Sequence, residues 1–256
     1  MAIGQAKMPI LDHLNELRRR LTVVAVVLLV ATIAIYIFTP QLIWFLMNPI
    51  AEYLPGGDAS QLNVLNPLGG FTLRFKVAFV AAVIVTAPVW IWQTFAFFLP
   101  ALKPSERKWV VPTFFVGLVL FVLGAIFCYC VILDPAFGWL LGQTADFATV
   151  FPDAYSYVNL ILMFELSFGL AFELPLVVFY LLVFRIVPYK KLRSSWRVVY
   201  IVLMVVCAAV TPDASPVTMM LLFAAMVSLY EVSLAMAKMV LRKRIAAQAQ
   251  EEEGEM

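Results

Sequence analysis

Six long apolar runs separated by short polar connections organise this chain: about Leu21–Phe38, Val77–Phe98, Val110–Leu133, Tyr157–Phe184, Val198–Val210 and Val217–Ala237. As helices, most are long enough to cross a hydrocarbon core of about 30 Å. The pattern predicts an all-α integral membrane protein, with six transmembrane helices forming a single domain over residues 1–240. Residues 241–256, with the Glu251–Glu253 cluster, read as a disordered cytoplasmic tail. No internal repeat stands out, and nothing suggests a separate soluble domain.

Details within the runs refine this architecture. Span 5 has about thirteen apolar residues before Thr211-Pro212, only ~20 Å of helix. Span 6 is interrupted by Glu231, so spans 5 and 6 both read as short. Pro88 and Pro175 fall inside spans, where a missing N–H kinks a helix or frees a carbonyl. Kinked helices of unequal length favour a concave arrangement over a straight bundle. The long first connection, Thr39 to Leu73, contains Leu42–Met47 with Trp44, which suits a short interfacial helix on the outer face. Arg18-Arg19-Arg20 before the first run superficially resembles a signal peptide. That run is about eighteen residues long and Thr39-Pro40-Gln41 offers no small-residue cleavage site, so it reads as a retained span.

Composition agrees, at 64% hydrophobic and 13% charged. The net charge of +2 says little, but its placement sets an orientation. Sixteen of the eighteen Lys and Arg residues lie in Lys7–Arg20, Lys103–Lys108, Arg185–Arg197 and Lys238–Arg244. The other connections carry Glu52, Asp58, Asp134, Asp146, Asp153 and Asp213, with Arg74 and Lys76 at the entry to span 2. By the positive-inside rule both termini face the cytoplasm, N-in and C-in. Cys128, Cys130 and Cys207 lie inside apolar spans and read as buried filler, and His13 is the single histidine. A metal site or a Ser-His triad therefore has little material. The chain reads as no enzyme, with no cofactor, no metal and no nucleic-acid partner.

Four polar clusters interrupt the apolar background. The first is His13-Leu14-Asn15-Glu16-Leu17-Arg18-Arg19-Arg20. Glu16 can pair along the helix with Arg19 or Arg20, an ordinary surface interaction of a few tenths of a kcal/mol. The second is Phe98 to Lys108, where Ser105 can cap the next helix and Glu106 can sit in its first turn. The third is Phe168-Gly169-Leu170-Ala171-Phe172-Glu173-Leu174-Pro175, in mid-span with Glu165 earlier in the same run. An ionised carboxylate there costs at least a few kcal/mol, so it must be neutral, paired or facing a wet cavity. Eight residues separate the two glutamates, about 80° around a helix and ~12 Å along it. They could share a cavity but not one proton. The fourth is Thr211-Pro212-Asp213-Ala214-Ser215-Pro216, followed by Tyr230-Glu231.

As a set, HLNELRRRL, APVWIWQTFAFFLPALKPSERK, FGLAFELP and TPD followed by LYE resemble the TatC family, the polytopic subunit of the twin-arginine protein translocase. The resemblance covers the chain from about His13 to Glu231. It implies a receptor in a prokaryotic inner membrane that exports folded proteins using the proton-motive force. Its cargo carries a signal peptide with two consecutive arginines, and single-span subunits resembling TatA and TatB join it in a multimeric complex within membrane lipid. Glu16 and Glu106 match the twin-arginine contacts, with Leu17, Arg20, Phe97 and Phe98 in the same blocks. Pro49, Lys76, Glu173 and Asp213 match other functional positions, whereas Glu165 has no counterpart in the pattern. The chain departs from many relatives after the TPD turn, where Ser215, Thr218 and Met219 replace a second acid and a Ser-Gln pair. From another class, the residues alone leave room for a proton-coupled small-molecule transporter using Glu165 and Glu173. Such transporters usually show repeats, which this chain lacks.

Overall fold

The computed structural model describes residues 10–54, 62–98, 110–144, 152–183, 187–211 and 215–240. Glu106, Asp213 and the tail 241–256 lie outside the described residues. Helices account for nearly all of the described chain, and the β-type pairing recorded there is one isolated bridge between Asn63 and Asp153. The helices are α1 (Ile10–Tyr36), α2 (Thr39–Met47), α3 (Gly69–Val85), α4 (Ala87–Phe98), α5 (Val110–Phe127) and α6 (Leu133–Gly142). They continue as α7 (Ala154–Ala171), α8 (Leu174–Val183), α9 (Tyr189–Ser194), α10 (Trp196–Val210) and α11 (Pro216–Val240).

Among the described residues, four segments are long and apolar enough to span a bilayer: His13–Tyr36, Val110–Gly142, Ala154–Leu182 and Pro216–Met239. A fifth is the pair α3–α4, bent by 57°. The bend falls beside Pro88, which has no N–H to give to the carbonyl four residues back. The Trp90 indole N–H donates instead to the nearby Val83 carbonyl at 2.9 Å, and the Thr86 hydroxyl to that of Ala82 at 2.7 Å. The second expected kink is a break at Phe172–Glu173, just before Pro175. The α10 helix has 15 residues, short as expected.

Several boundaries differ from the sequence reading, each time because a polar residue found partners. Span 6 is neither short nor interrupted: α11 runs for 25 residues straight through Glu231. Its carboxylate accepts from Arg193 Nη1 at 2.8 Å and from the Tyr200 hydroxyl at 3.0 Å. Span 3 continues past Asp134-Pro135 to Gly142. One π turn, Cys128–Ile132, precedes Pro135 and absorbs the register change that its missing donor imposes. Helix α3 begins eight residues before the apolar run, taking in Arg74 and Lys76. Cys128 and Cys207 are buried as expected, but Cys130 is exposed.

Between helices in lipid, close contact matters more than hydrophobic transfer, because lipid tails are as apolar as leucine. The α7 helix is the hub, contributing Val158, Ile161, Phe164 and Phe168 to the core. It packs on α3 and α5, while α8 packs on α11 and α11 on α10. A methyl added at Gly124 would lie 2.6 Å from the Phe168 carbonyl oxygen, so α5 and α7 approach backbone to backbone there. At the flanks, α1 packs on α3 and α4, and α10 on α11 and α9. Exposed Val26, Leu29, Val30 and Ile33 on α1, and Val198, Ile201 and Val205 on α10, suit a lipid environment.

Candidate functional site

The bend at Pro88 swings α4 under the start of α1 and creates the junction where the first polar cluster sits. On α1, His13, Glu16 and Arg20 recur at helical spacing and share one face. On α4, Gln93 and Phe97 are four residues apart and also share a face. The two faces interlock. The His13 ring stacks on Phe97 with centroids 4.4 Å apart and planes at 26°. Arg20 donates from Nε at 3.2 Å and from Nη2 to the same oxygen, Glu16 Oε1. Its remaining Nη1 donates to Gln93 Oε1 at 3.1 Å. Among the described residues, Glu16 Oε2 is buried with no hydrogen-bond donor.

That arrangement leaves a carboxylate with one oxygen engaged and the other free, in a half-buried setting where an unmet acceptor costs about 1–3 kcal/mol. A cation with N–H donors would satisfy it. Leu17 is half-buried beside it on α1. Phe98 ends α4, and its side chain, like Glu106, lies outside the described residues. Sequence reasoning missed Gln93 as a member of this site. Its position four residues before Phe97 was the available signal.

Glu173 lies in the break between α7 and α8, where the backbone leaves the helix. Its carboxylate rests against Gly117 of α5, where an added Cβ would be 3.2 Å from Oε2. Its Oε1 is buried without a donor. Glu165 sits deeper in the core, 5% exposed, also with an undonated Oε1. Its charge reaches Cys128 and Tyr129 in the π turn. The two glutamates thus meet different stretches of the same neighbouring span.

The remaining candidates lie at the opposite end of the bundle, where α1 finishes and α3 and α7 begin. Lys76 donates to the Tyr155 hydroxyl and to Asn159 Oδ1 at 2.9 Å, and sits 4.6 Å above the Tyr155 ring. Arg74 donates to the Thr39 hydroxyl at 2.9 Å and stands 5.2 Å over the Tyr36 ring. Pro49 opens the 3₁₀ turn after α2, between buried Met47 and Ile50. Asp153 caps α7, accepting from the Ser156 N–H at 3.0 Å. Burial pushes its carboxyl upward, but donation by the Ser156 hydroxyl and by backbone N–H groups outweighs this and holds it below the usual range. Among the described residues, then, Glu16, Leu17, Arg20 and Phe97 form one group. Lys76 and Pro49 stand apart from it, and Glu165 and Glu173 occupy the interior.

Residues 12–224 match the family model described as Sec-independent protein translocase protein (TatC). One relative is the Sec-independent protein translocase protein TatC of Frankia casuarinae, 36% identical over 241 residues, with 91% of this chain and 66% of that longer protein covered. The protein of the same description from Deinococcus radiodurans is 32% identical over 235 residues, covering 91% of this chain and 87% of the relative. A crystal structure of the twin-arginine translocase receptor TatC in DDM matches with a TM-score of 0.75 at 27% identity, over 88% of this chain and 99% of that one. A second crystal structure of that receptor gives 0.74 at 28% identity, over 89% and 98%. With the family model covering most of its length, this multi-pass membrane chain belongs to the TatC family, the non-enzymatic receptor subunits of the Sec-independent protein translocase.

Proposed function

We propose that this chain is the signal-peptide receptor at the core of a twin-arginine translocase. The observation that carries the reading is Glu16: a carboxylate fixed at the α1–α4 junction with Oε2 buried and lacking a donor. Two guanidiniums from a signal peptide engage Glu16 and Glu106 on the cytoplasmic face. In a partly desolvated site the planar fork of arginine outcompetes the single point charge of lysine. Leu17, Phe97 and Phe98 provide apolar contact around the pair. The signal's apolar stretch then inserts along a concave wall near Glu173, whose undonated oxygen accepts from the inserted segment or from a polar group on a partner helix.

The chain crosses the inner membrane six times, with both termini inside. The five long or bent spans and short α10 supply the crossings, and the basic connections supply the direction. Single-span subunits of the TatA and TatB type dock on α10 and α11, and folded cargo is exported at the expense of the proton-motive force. Lys76, Pro49 and Asp213 act at the outer face. In the decisive experiment, a twin-arginine peptide bearing a photocrosslinker is offered to the wild-type chain and to a Glu16→Ala, Glu106→Ala variant. Strong crosslinking to the first and loss with the second is expected. Undiminished crosslinking to the variant would refute the assignment. Export of a folded reporter with an RR or a KK signal, in cells lacking the gene, tests the translocase role in the same way.

A further inference from the structure

Arg20 already holds the carboxylate that an incoming arginine would need. Its Nε and Nη2 both donate to Glu16 Oε1, and its Nη1 is held by Gln93 on the facing helix. Glu16 Oε2, on the same carboxylate, has no donor. We propose that Arg20 is an internal competitor for Glu16, and that Gln93 is the holding point that makes its displacement possible. The inference rests on the signal-peptide reading above and assigns it a specificity mechanism.

The chemistry is an exchange of hydrogen bonds with no covalent step. A lysine approaching Glu16 must first uncover the buried Oε2 and meets, beside it, a guanidinium of its own sign. Its ammonium cannot reproduce the two-pronged grip of Arg20, so it stays confined to Oε2. An arginine presents the same fork as Arg20 and can take both oxygens, releasing Arg20 while Gln93 Oε1 still accepts from Nη1. The competitor therefore lowers affinity for every cation but lowers it more for lysine. Discrimination in this scheme depends on what the site already contains as well as on the carboxylate itself. Arg18 and Arg19 are exposed and add general positive charge, while among the described residues the recorded grip on Glu16 is that of Arg20.

The test uses the full-length chain in lipid nanodiscs, with fluorescent signal peptides carrying RR or KK titrated by anisotropy at low and physiological salt. Arg20→Gln should raise KK affinity by about tenfold, the scale of one charge-assisted hydrogen bond, and raise RR affinity less, so the RR-to-KK ratio narrows. Gln93→Leu should weaken RR binding several-fold, because displaced Arg20 then has no acceptor. Arg20→Lys keeps the charge and fold but loses the two-pronged grip, and should shift the ratio in the same direction as Arg20→Gln by a smaller amount. It stands in if the neutral variant fails to assemble. Equal losses of RR and KK binding in the Arg20 variants, or an unchanged ratio, would overturn the proposal and leave Arg20 as scaffold for Glu16. Glu16→Ala separates the two levels: undiminished RR binding there would defeat the receptor reading itself, whatever the Arg20 variants do.

Discussion

Among the described residues, Glu16, Glu165 and Glu173 each bury one carboxylate oxygen that receives no donor, yet their surroundings differ. Glu16 is at a junction of two helices with a cation already beside it, which suits exchange with a ligand. Glu173 is at a helix break, against a glycine that makes room for its carboxylate. Glu165 is locked inside the α7 core, 5% exposed, and lies away from both. A buried acceptor without a donor costs about 1–3 kcal/mol, and an apolar residue of similar size removes that cost. Glu165→Leu is therefore expected to raise the thermal midpoint of the detergent-purified chain, and a lower midpoint would mean that the carboxylate is satisfied and structural. Glycine offers a second test. Gly124→Ala puts a methyl 2.6 Å from the Phe168 carbonyl oxygen, a backbone atom that cannot rotate aside, whereas Gly142→Ala meets nothing within 4 Å. Overpacking of this kind costs about 1–3 kcal/mol. The first variant should lower the midpoint, and the second should leave it unchanged.

Caps and breaks govern the elements. Asp153 starts α7, the hub helix, and its carboxyl is held below the usual value despite burial because Ser156 and the backbone donate to it. A depressed folded-state value adds stability above the unfolded value near pH 3.9, and that stability fades as pH falls through the folded value. Asp153→Asn retains an acceptor but not the charge. The wild-type chain should accordingly exceed it in thermal midpoint at pH 6, by an amount in the range of a cap, about 0.5–2 kcal/mol. The gap should narrow as pH falls below the unfolded value and close once it has passed the folded one, and a gap independent of pH would refute the charge argument. The same elements explain what was legible beforehand. Apolar runs located long helices, and Pro88 and Pro175 located the breaks, because those signals are local. Helix ends at Arg74, Asp134 and Glu231 were misplaced because their fate depended on distant residues: Thr39 for Arg74, Tyr53 for Asp134 and Arg193 for Glu231. Within the site, Glu16 and Phe97 were visible from their motifs. Gln93 was not, because a single amide in an apolar helix gains meaning only when the bend brings Arg20 to it.

At the scale of the whole molecule, the tertiary contacts sort the polar residues into two ends before any membrane is considered. Tyr36 meets Arg74, Lys76 meets Tyr155, Tyr53 donates to Asp134 at 2.8 Å, and Asn63 pairs with Asp153, so these residues share one end. Arg20 with Gln93, and Arg193 with Glu231, lie toward the other end. Acids dominate the connections at the first end and most Lys and Arg flank the second, a charge pattern that supports the proposed orientation with the second end toward the cytoplasm. Under the proposed receptor role, that orientation leaves the Glu16 junction on the side from which a signal peptide arrives. Single cysteines at Asn66 and at Ser194, in a chain whose own cysteines are replaced by serine, report it directly. A membrane-impermeant thiol reagent added to intact cells should label Asn66→Cys and spare Ser194→Cys until the membrane is opened. The reverse pattern would put the Glu16 junction on the wrong side for its cargo and defeat the receptor reading, while labelling of both from outside would break the six-span path between them.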